Sequence, residues 1–144
     1  MLNSILLDAG PLIALFNAKD RHHRPITAFL KKHPYRYVST LAVFTEVSHM
    51  LDFSIKAQRD FYEWVMCKGV IISDINQNDM PRLVELTAKY ADLPMDLADA
   101  TLVITAEKTG IREIISLDQD FDIYRLPGKE QIHNVYPTRP LPES

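Results

Sequence analysis

The chain has 144 residues, 47% of them hydrophobic and 24% charged, with 16 Lys and Arg against 19 Asp and Glu and a net charge of −3. That length and apolar fraction require one globular domain with its own core, and exclude a disordered tail or a disulfide-stapled mini-protein. The longest apolar stretches, such as Leu12 to Phe16, fall far short of the ~20 residues that span a bilayer.

Met1-Leu2-Asn3-Ser4 carries no basic leader, and the single Cys67 has no internal disulfide partner, so a cytoplasmic protein without membrane contact is expected. The negative charge by itself argues against a nucleic-acid partner, because phosphate binding usually leaves a basic footprint.

Ile5-Leu6-Leu7 is a short apolar run ending at Asp8. Gly10-Pro11 then opens Leu12, Ile13, Leu15 and Phe16, which predicts a buried strand turning directly into a helix. Pro25 suits a first helical position, and Ile26, Phe29 and Leu30 follow at helical spacing until His33-Pro34 stops the run. Tyr37-Val38-Ser39 is the next strand candidate. Thr40 can cap a helix carrying Phe44, Val47 and Leu51, and a further helix with Ala57, Phe61, Trp64 and Val65 on one face ends at Gly69. Val70-Ile71-Ile72 is β-branched and fully apolar, which predicts a central parallel strand.

Helical spacing returns from Asn78 to Tyr90 through Leu83 and Leu86. After Pro94, Asp96 can cap a helix bearing Leu102, Val103 and Ala106, which Gly110 ends before the strand Glu113-Ile114-Ile115-Ser116. Ile132 to Tyr136 is a candidate fifth strand, and Pro137, Pro140 and Pro142 mark residues 137–144 as an extended tail. Short apolar strands alternating with helices predict an α/β fold: a three-layer α/β/α domain over residues 1–136 with a mainly parallel central sheet of four or five strands.

Ligands of open parallel sheets bind beyond the carboxyl ends of the strands, so the polar residues there are the ones to examine. Asp8 ends the first strand; Asp118 follows the last secure one, with Asp120 beside it. Asp96 and Asp99 lie three apart at a helix start. Glu46 has Ala42, Val43, His49 and Met50 as helical neighbours, a largely apolar setting where a lone carboxylate is costly and a buried partner is expected.

Each acid also has a plain structural reading. Asp8 and the Asp96/Asp99 pair serve as helix caps, Glu46 as a solvated rim residue, and Asp118 to Asp122 as an Asp-rich turn. Their joint placement is the stronger signal. Converging carboxylates cannot all stay ionised unless cations neutralise them, and hard oxygen donors select Mg²⁺ or Mn²⁺ over zinc. Two divalent ions would bring the net charge from −3 to +1.

Four segments in this order resemble the PIN domain, the nuclease fold of VapC-type toxins from toxin–antitoxin pairs. They are Leu6-Leu7-Asp8-Ala9-Gly10-Pro11-Leu12-Ile13-Ala14-Leu15, Thr45-Glu46-Val47, Pro94-Met95-Asp96-Leu97-Ala98-Asp99-Ala100 and Ile115-Ser116-Leu117-Asp118-Gln119-Asp120-Phe121. The resemblance extends from residue 4 to about 125. Carried over residue by residue, Asp8, Glu46, Asp99 and Asp118 match the acidic quartet that holds Mg²⁺ or Mn²⁺, Asp96 an additional acid and Asp120 an outer ligand. The last motif leaves open whether Asp118 or Asp120 is the fourth ligand. Ser116 stands where the family often has Thr, and keeps the hydroxyl.

The resemblance implies a metal-dependent endoribonuclease acting on single-stranded or looped RNA, with Asp8, Asp99 and Asp118 on the metal and Glu46 ligating it or orienting the attacking water. It also implies a small antitoxin that reaches the carboxylates with an Arg or Lys, and a homodimer through helix faces around Phe44 and Phe61, residues that suit a monomer core equally well. The competing reading is a non-catalytic PIN-like module that acts with a DNA-binding partner.

Other classes fit poorly. A receiver domain needs two adjacent acids on its first loop, where this chain has Ala9-Gly10 after Asp8, and a haloacid-dehalogenase phosphatase needs an Asp where Gly10 stands. The four glycines lack the spacing of a phosphate-cradling loop, and no Gly-x-Ser-x-Gly elbow occurs. Residues 19–36 carry a local charge of +5, which suits either phosphate steering toward the acids or a solvated face. His22-His23 has no ligand spacing elsewhere to make a zinc site, and Phe61, Tyr62, Trp64 and His49 read as packing residues.

Overall fold

The computed structural model describes residues 2–93 and 95–137. Of the extended tail expected at 137–144, all but Pro137 lies outside the described residues, as does Pro94.

The first strand, β1 (Ser4–Leu7), is an apolar run with neighbours on both sides. Successive strand residues face opposite sides of a sheet, so full burial of Ile5, Leu6 and Leu7 means that both faces are covered, as three layers require. Asp8 turns the chain into α1 (Ala9–Phe16), and α2 (His23–Lys32) leads to β2 (Arg36–Ser39). Thr40 then caps α3 (Leu41–Met50), accepting from the Val43 N–H, and Ser54 caps α4 (Ile55–Met66) in the same way through Ala57. The short β3 (Ile71–Ile72) precedes α5 (Met80–Lys89) and α6 (Leu97–Thr109), and the chain closes with β4 (Glu113–Ile115) and β5 (His133–Asn134).

All pairings are parallel, in the order β3-β2-β1-β4-β5. The chain therefore builds outward from β1 in one direction and later in the other, so the gap between β1 and β4 is a topological switch point. Asp8 and Ser116 leave the sheet there. Helix α6 is buried from Ala98 through Ala106, which accounts for its lack of a polar stripe, and Gly110 ends it at φ +83°.

Most elements stand where the sequence places them, including the fifth strand. Two expectations are corrected. The β-branched run at 70–72 predicts a central strand, yet β3 lies at the sheet edge with Ile71 39% and Ile72 48% exposed, and only Val70 is buried. Branched side chains suit an extended backbone wherever it lies, and they carry no record of whether a further strand follows.

Gly69 does not end α4, which stops at Met66, and the left-handed residue after it is Lys68, at φ +64°. Gly69 is needed for space, because a Cβ there would lie 2.2 Å from the Trp64 indole. Its N–H donates to the Trp64 carbonyl at 2.8 Å, which holds the backbone against the ring.

Trp64 belongs to an aromatic cluster with Phe16, Phe44 and Phe61, whose ring centroids are 5.3–5.5 Å apart. Phe44 and Phe61 are buried in this core, so the monomer uses the two residues proposed for a dimer face. Among the described residues, no helix is long and apolar enough to cross a membrane.

Gly69→Ala should destabilise the fold by about 1–3 kcal/mol, as overpacking does, measured as a lower urea midpoint. An unchanged midpoint would mean that the indole moves aside freely.

Candidate active site

Asp8 is held by the sheet before its side chain plays any part. Its N–H donates to the Ile115 carbonyl at 3.1 Å, and the preceding Leu7 carbonyl accepts from Ser39 Oγ of β2 at 2.7 Å. One carboxylate oxygen caps α1 through the Ala9 N–H and the other accepts from Ser116 Oγ, each at 2.8 Å. The carboxylate is thus 5% exposed at the switch point, between the ends of β1 and β4.

Ser116 is itself clamped. Asn134 of β5 accepts from its N–H at 3.2 Å and donates to its carbonyl at 3.1 Å, while Ser116 Oγ accepts from the Asp118 N–H at 3.2 Å. Asn134 is a site-supporting residue that the sequence motifs do not reveal, because its role exists only once β5 pairs with β4.

Asp96 is the N-cap of α6, accepting from the Asp99 N–H at 2.8 Å, so the capping reading of this pair is correct for Asp96. Asp99 is buried one turn in, and its Oδ2 accepts from the Tyr124 hydroxyl at 2.8 Å. Tyr124 is 3% exposed, with Tyr90 and Phe121 packed edge-on against its ring at 5.1 and 5.3 Å. Sequence reasoning misses this residue. Its only trace is a tyrosine three positions after Phe121, an aromatic body whose polar tip needs a partner once buried.

The six acids share one electrostatic field. Burial, followed by the charge of Asp118, pushes the Asp8 pKa up to about 7, and Glu46 adds to the effect. Burial and then Asp8 push Asp99 to about 8, with Asp96 and Asp118 contributing while the Tyr124 hydrogen bond opposes. Asp120 is raised by burial and by Asp118 and Asp96. Asp118 and Asp120 are both exposed; the charge of Asp118 bears on Asp8, Glu46, Asp99 and Asp120, and its Oδ1 accepts from the Asp120 N–H at 3.0 Å.

Glu46 corrects an expectation. It stands exposed on α3, as do its neighbours Thr45, His49 and Met50, and among the described residues it forms no ion pair. Its pKa is raised by partial burial and then by Asp96 and Asp118, so it lies at the rim of the acidic pocket. The helical turn around it is apolar only toward Val43 and Val47. His49 takes no part, being exposed and 3.9 Å from Asp52.

The basic segment 19–36 is placed away from the acids. Arg36 opens β2 opposite Ser4, at the amino end of the sheet, and α1 carries the chain about 12 Å from Asp8 before Lys19 is reached.

Among the described residues, no three His, Cys, Asp or Glu side chains form a ready-made metal cage. The donor set is nonetheless the kind hard divalent cations take. It consists of carboxylate oxygens, and the buried Asp8 and Asp99 hold a proton near neutral pH unless another cation neutralises them.

A family profile described as PIN domain matches residues 5–126. The chain belongs to the PIN domain family. Among solved structures, the crystal structure of the Mycobacterium tuberculosis VapC20 toxin, described as cleaving the sarcin–ricin loop, is similar to this PIN domain. The TM-score is 0.74 at 19% sequence identity, over 83% of this chain and 93% of that one, a likeness of fold. No curated protein matches the sequence. The family match stops at residue 126, so Asn134 lies beyond the part of the chain that identifies the family.

Asp8 and Asp99 are harder to ionise folded than unfolded. Between the ordinary carboxylate range and about 8, the folded chain keeps protons that the unfolded chain releases, so stability falls as pH rises through that window. In EDTA, the Tm should be several degrees lower at a pH above this window than at one within its lower half. Asp99→Asn should flatten the dependence, since the amide keeps an acceptor for Tyr124. A Tm that rises over the same range would remove the electrostatic account.

Proposed function

We infer that this PIN domain is a divalent-metal-dependent endoribonuclease, the toxin of a toxin–antitoxin pair working in the cytoplasm. The observation that supports this reading is that Asp8, at the switch point of the sheet, and Asp99 are both buried carboxylates, raised to about 7 and about 8 by burial and then by neighbouring acids that include Asp118. The fold shared with a sarcin–ricin-loop-cleaving toxin supports looped RNA as the substrate class.

Asp8, Asp99 and Asp118 would hold Mg²⁺ or Mn²⁺, with Glu46 at the rim and Asp96 and Asp120 as outer acids. When bound, a divalent ion supplies charge neutralisation, a more acidic water and stabilisation of the leaving oxygen in phosphodiester hydrolysis. The protein supplies orientation. Each Asp8 oxygen accepts one hydrogen bond, from the Ala9 N–H or Ser116 Oγ, and retains a lone pair for a ligand. Tyr124 fixes Asp99 through Oδ2 in the same manner. Glu46, exposed and with its pKa raised, would ligate the metal or orient the attacking water and accept its proton.

An inhibitory antitoxin would meet the same acids with an Arg or Lys. Since Phe44 and Phe61 are core residues, a homodimer through these helices would use the exposed Leu41, Met50, Ile55 and Met66 instead.

The direct test incubates the purified chain with labelled stem-loop and single-stranded RNAs in Mg²⁺, Mn²⁺ or EDTA. Cleavage should require metal and fall below detection in Asp8→Asn and Asp99→Asn, with circular dichroism unchanged. Metal binding without cleavage of any RNA would favour the regulatory module. Tyr124→Phe should weaken Mn²⁺ binding by about tenfold or more, as loss of a ligand-orienting partner does, read by calorimetry. Wild-type affinity in that variant would remove Tyr124 from the site.

A further inference from the structure

The acids pose a problem for a polyanionic substrate: a domain of net charge −3 presents it with a carboxylate cluster, and the basic segment 19–36 lies toward the other end of the sheet. A second cationic surface is linked to Asp99 through Tyr124. A depression of about 620 Å³ is lined by Arg82, Lys89, Arg125 and Lys129, together with Leu126-Pro127-Gly128, and no acid lines it.

Arg82 is structural, since its guanidinium grips Glu107 of α6 at 2.6–3.1 Å and Glu85 at 3.1 Å. Among the described residues, Lys89, Arg125 and Lys129 form no ion pair. Glu130, the acid next to Lys129, is occupied by Arg112 at 2.8 Å.

The surface is built rather than incidental. The Arg125 N–H donates to the Tyr90 hydroxyl at 2.8 Å, and its side chain donates to the Tyr124 carbonyl at 2.9 Å. Lys89 lies 5.4 Å from the centre of the Tyr90 ring. A Leu126 N–H to Glu130 carbonyl bond of 2.7 Å closes the turn that carries Lys129, in which Gly128 and Lys129 are both left-handed, at φ +77° and +64°. A left-handed lysine is a strained conformation, and the closed turn holds it there.

The depression is also coupled to the acids. Arg125 directly follows Tyr124, whose hydroxyl grips Asp99, and the Tyr90 and Tyr124 rings pack 5.1 Å apart.

We propose that Lys89, Arg125 and Lys129 form a docking surface for the phosphodiester backbone of RNA beside the acidic site. The proposal rests on the RNA substrate inferred above. Charged side chains and a polar turn suit phosphates, which are read by charge, better than an apolar small molecule.

The test is fluorescence anisotropy of a labelled stem-loop RNA with the full chain in EDTA, from about 50 to about 300 mM KCl. Lys89→Gln/Arg125→Gln/Lys129→Gly is compared with Lys31→Gln/Lys32→Gln. Glycine at 129 preserves the left-handed backbone, and thermal melts check folding.

The first variant should lose about tenfold or more in affinity, and the slope of log K against log salt should become shallower by about 2. The second should match the wild type. Equal slopes for the wild type and the first variant, loss confined to the second, no RNA binding by the wild type, or equal competition by polyglutamate would each overturn the proposal. A wild type that binds RNA with the expected slope but never cleaves it would instead defeat the nuclease reading and leave the surface standing. Cleavage with unchanged binding in the first variant would defeat the surface alone.

Discussion

A carboxylate buried at the end of the central strand is the constraint around which this domain is arranged. Asp8 must follow β1, because only a strand paired on both sides can fix a side chain at the switch point. Its burial opposes ionisation, and the charge of Asp118 opposes it further. Three local features counter this: the Ala9 N–H, the positive end of α1 and the Ser116 hydroxyl. These leave the pKa at about 7, well above the ordinary carboxylate range.

The supporting residues fix the acids and the backbone beside them. Ser39 holds the Leu7 carbonyl from β2, and Asn134 holds both backbone groups of Ser116 from β5. On the far side of the pocket, Tyr124 holds Asp99 while its ring is fixed by Tyr90 and Phe121. Thr40 Oγ1 lies 2.8 Å from Thr101 Oγ1, tying the start of α3 to α6, and through them Glu46 to the acids of α6. The same tyrosines link two charged features: the Tyr124 hydroxyl donates to Asp99, and Arg125, which follows it, lines the cationic depression.

Much of this was legible in the sequence, for identifiable reasons. The strand-to-helix turn at Asp8, the Thr40 and Asp96 caps and the Gly110 terminator are set by backbone groups within a few residues. The motifs of Asp8, Asp96, Asp99 and Asp118 are equally local, each near a strand end or helix start, whereas Glu46 lies mid-helix on α3. Glu46 was harder to read, because a helical neighbour list cannot tell a core-facing turn from one at a pocket rim. The edge position of β3 and the true terminator of α4 escaped for similar reasons. One depends on which strands pair; the other depends on an indole that occupies the space a Cβ would need.

By itself, the sequence determined the order of elements, the α/β class and the family. These follow from short-range spacing and side-chain type. The tertiary structure alone decided which acids are buried, which groups hold them and where the cations lie. Ser116 reaches Asp8 across 108 positions and Tyr124 reaches Asp99 across 25. Such contacts arise from strand order and aromatic packing, and no local pattern encodes them because the partners become neighbours only when the sheet closes around β1.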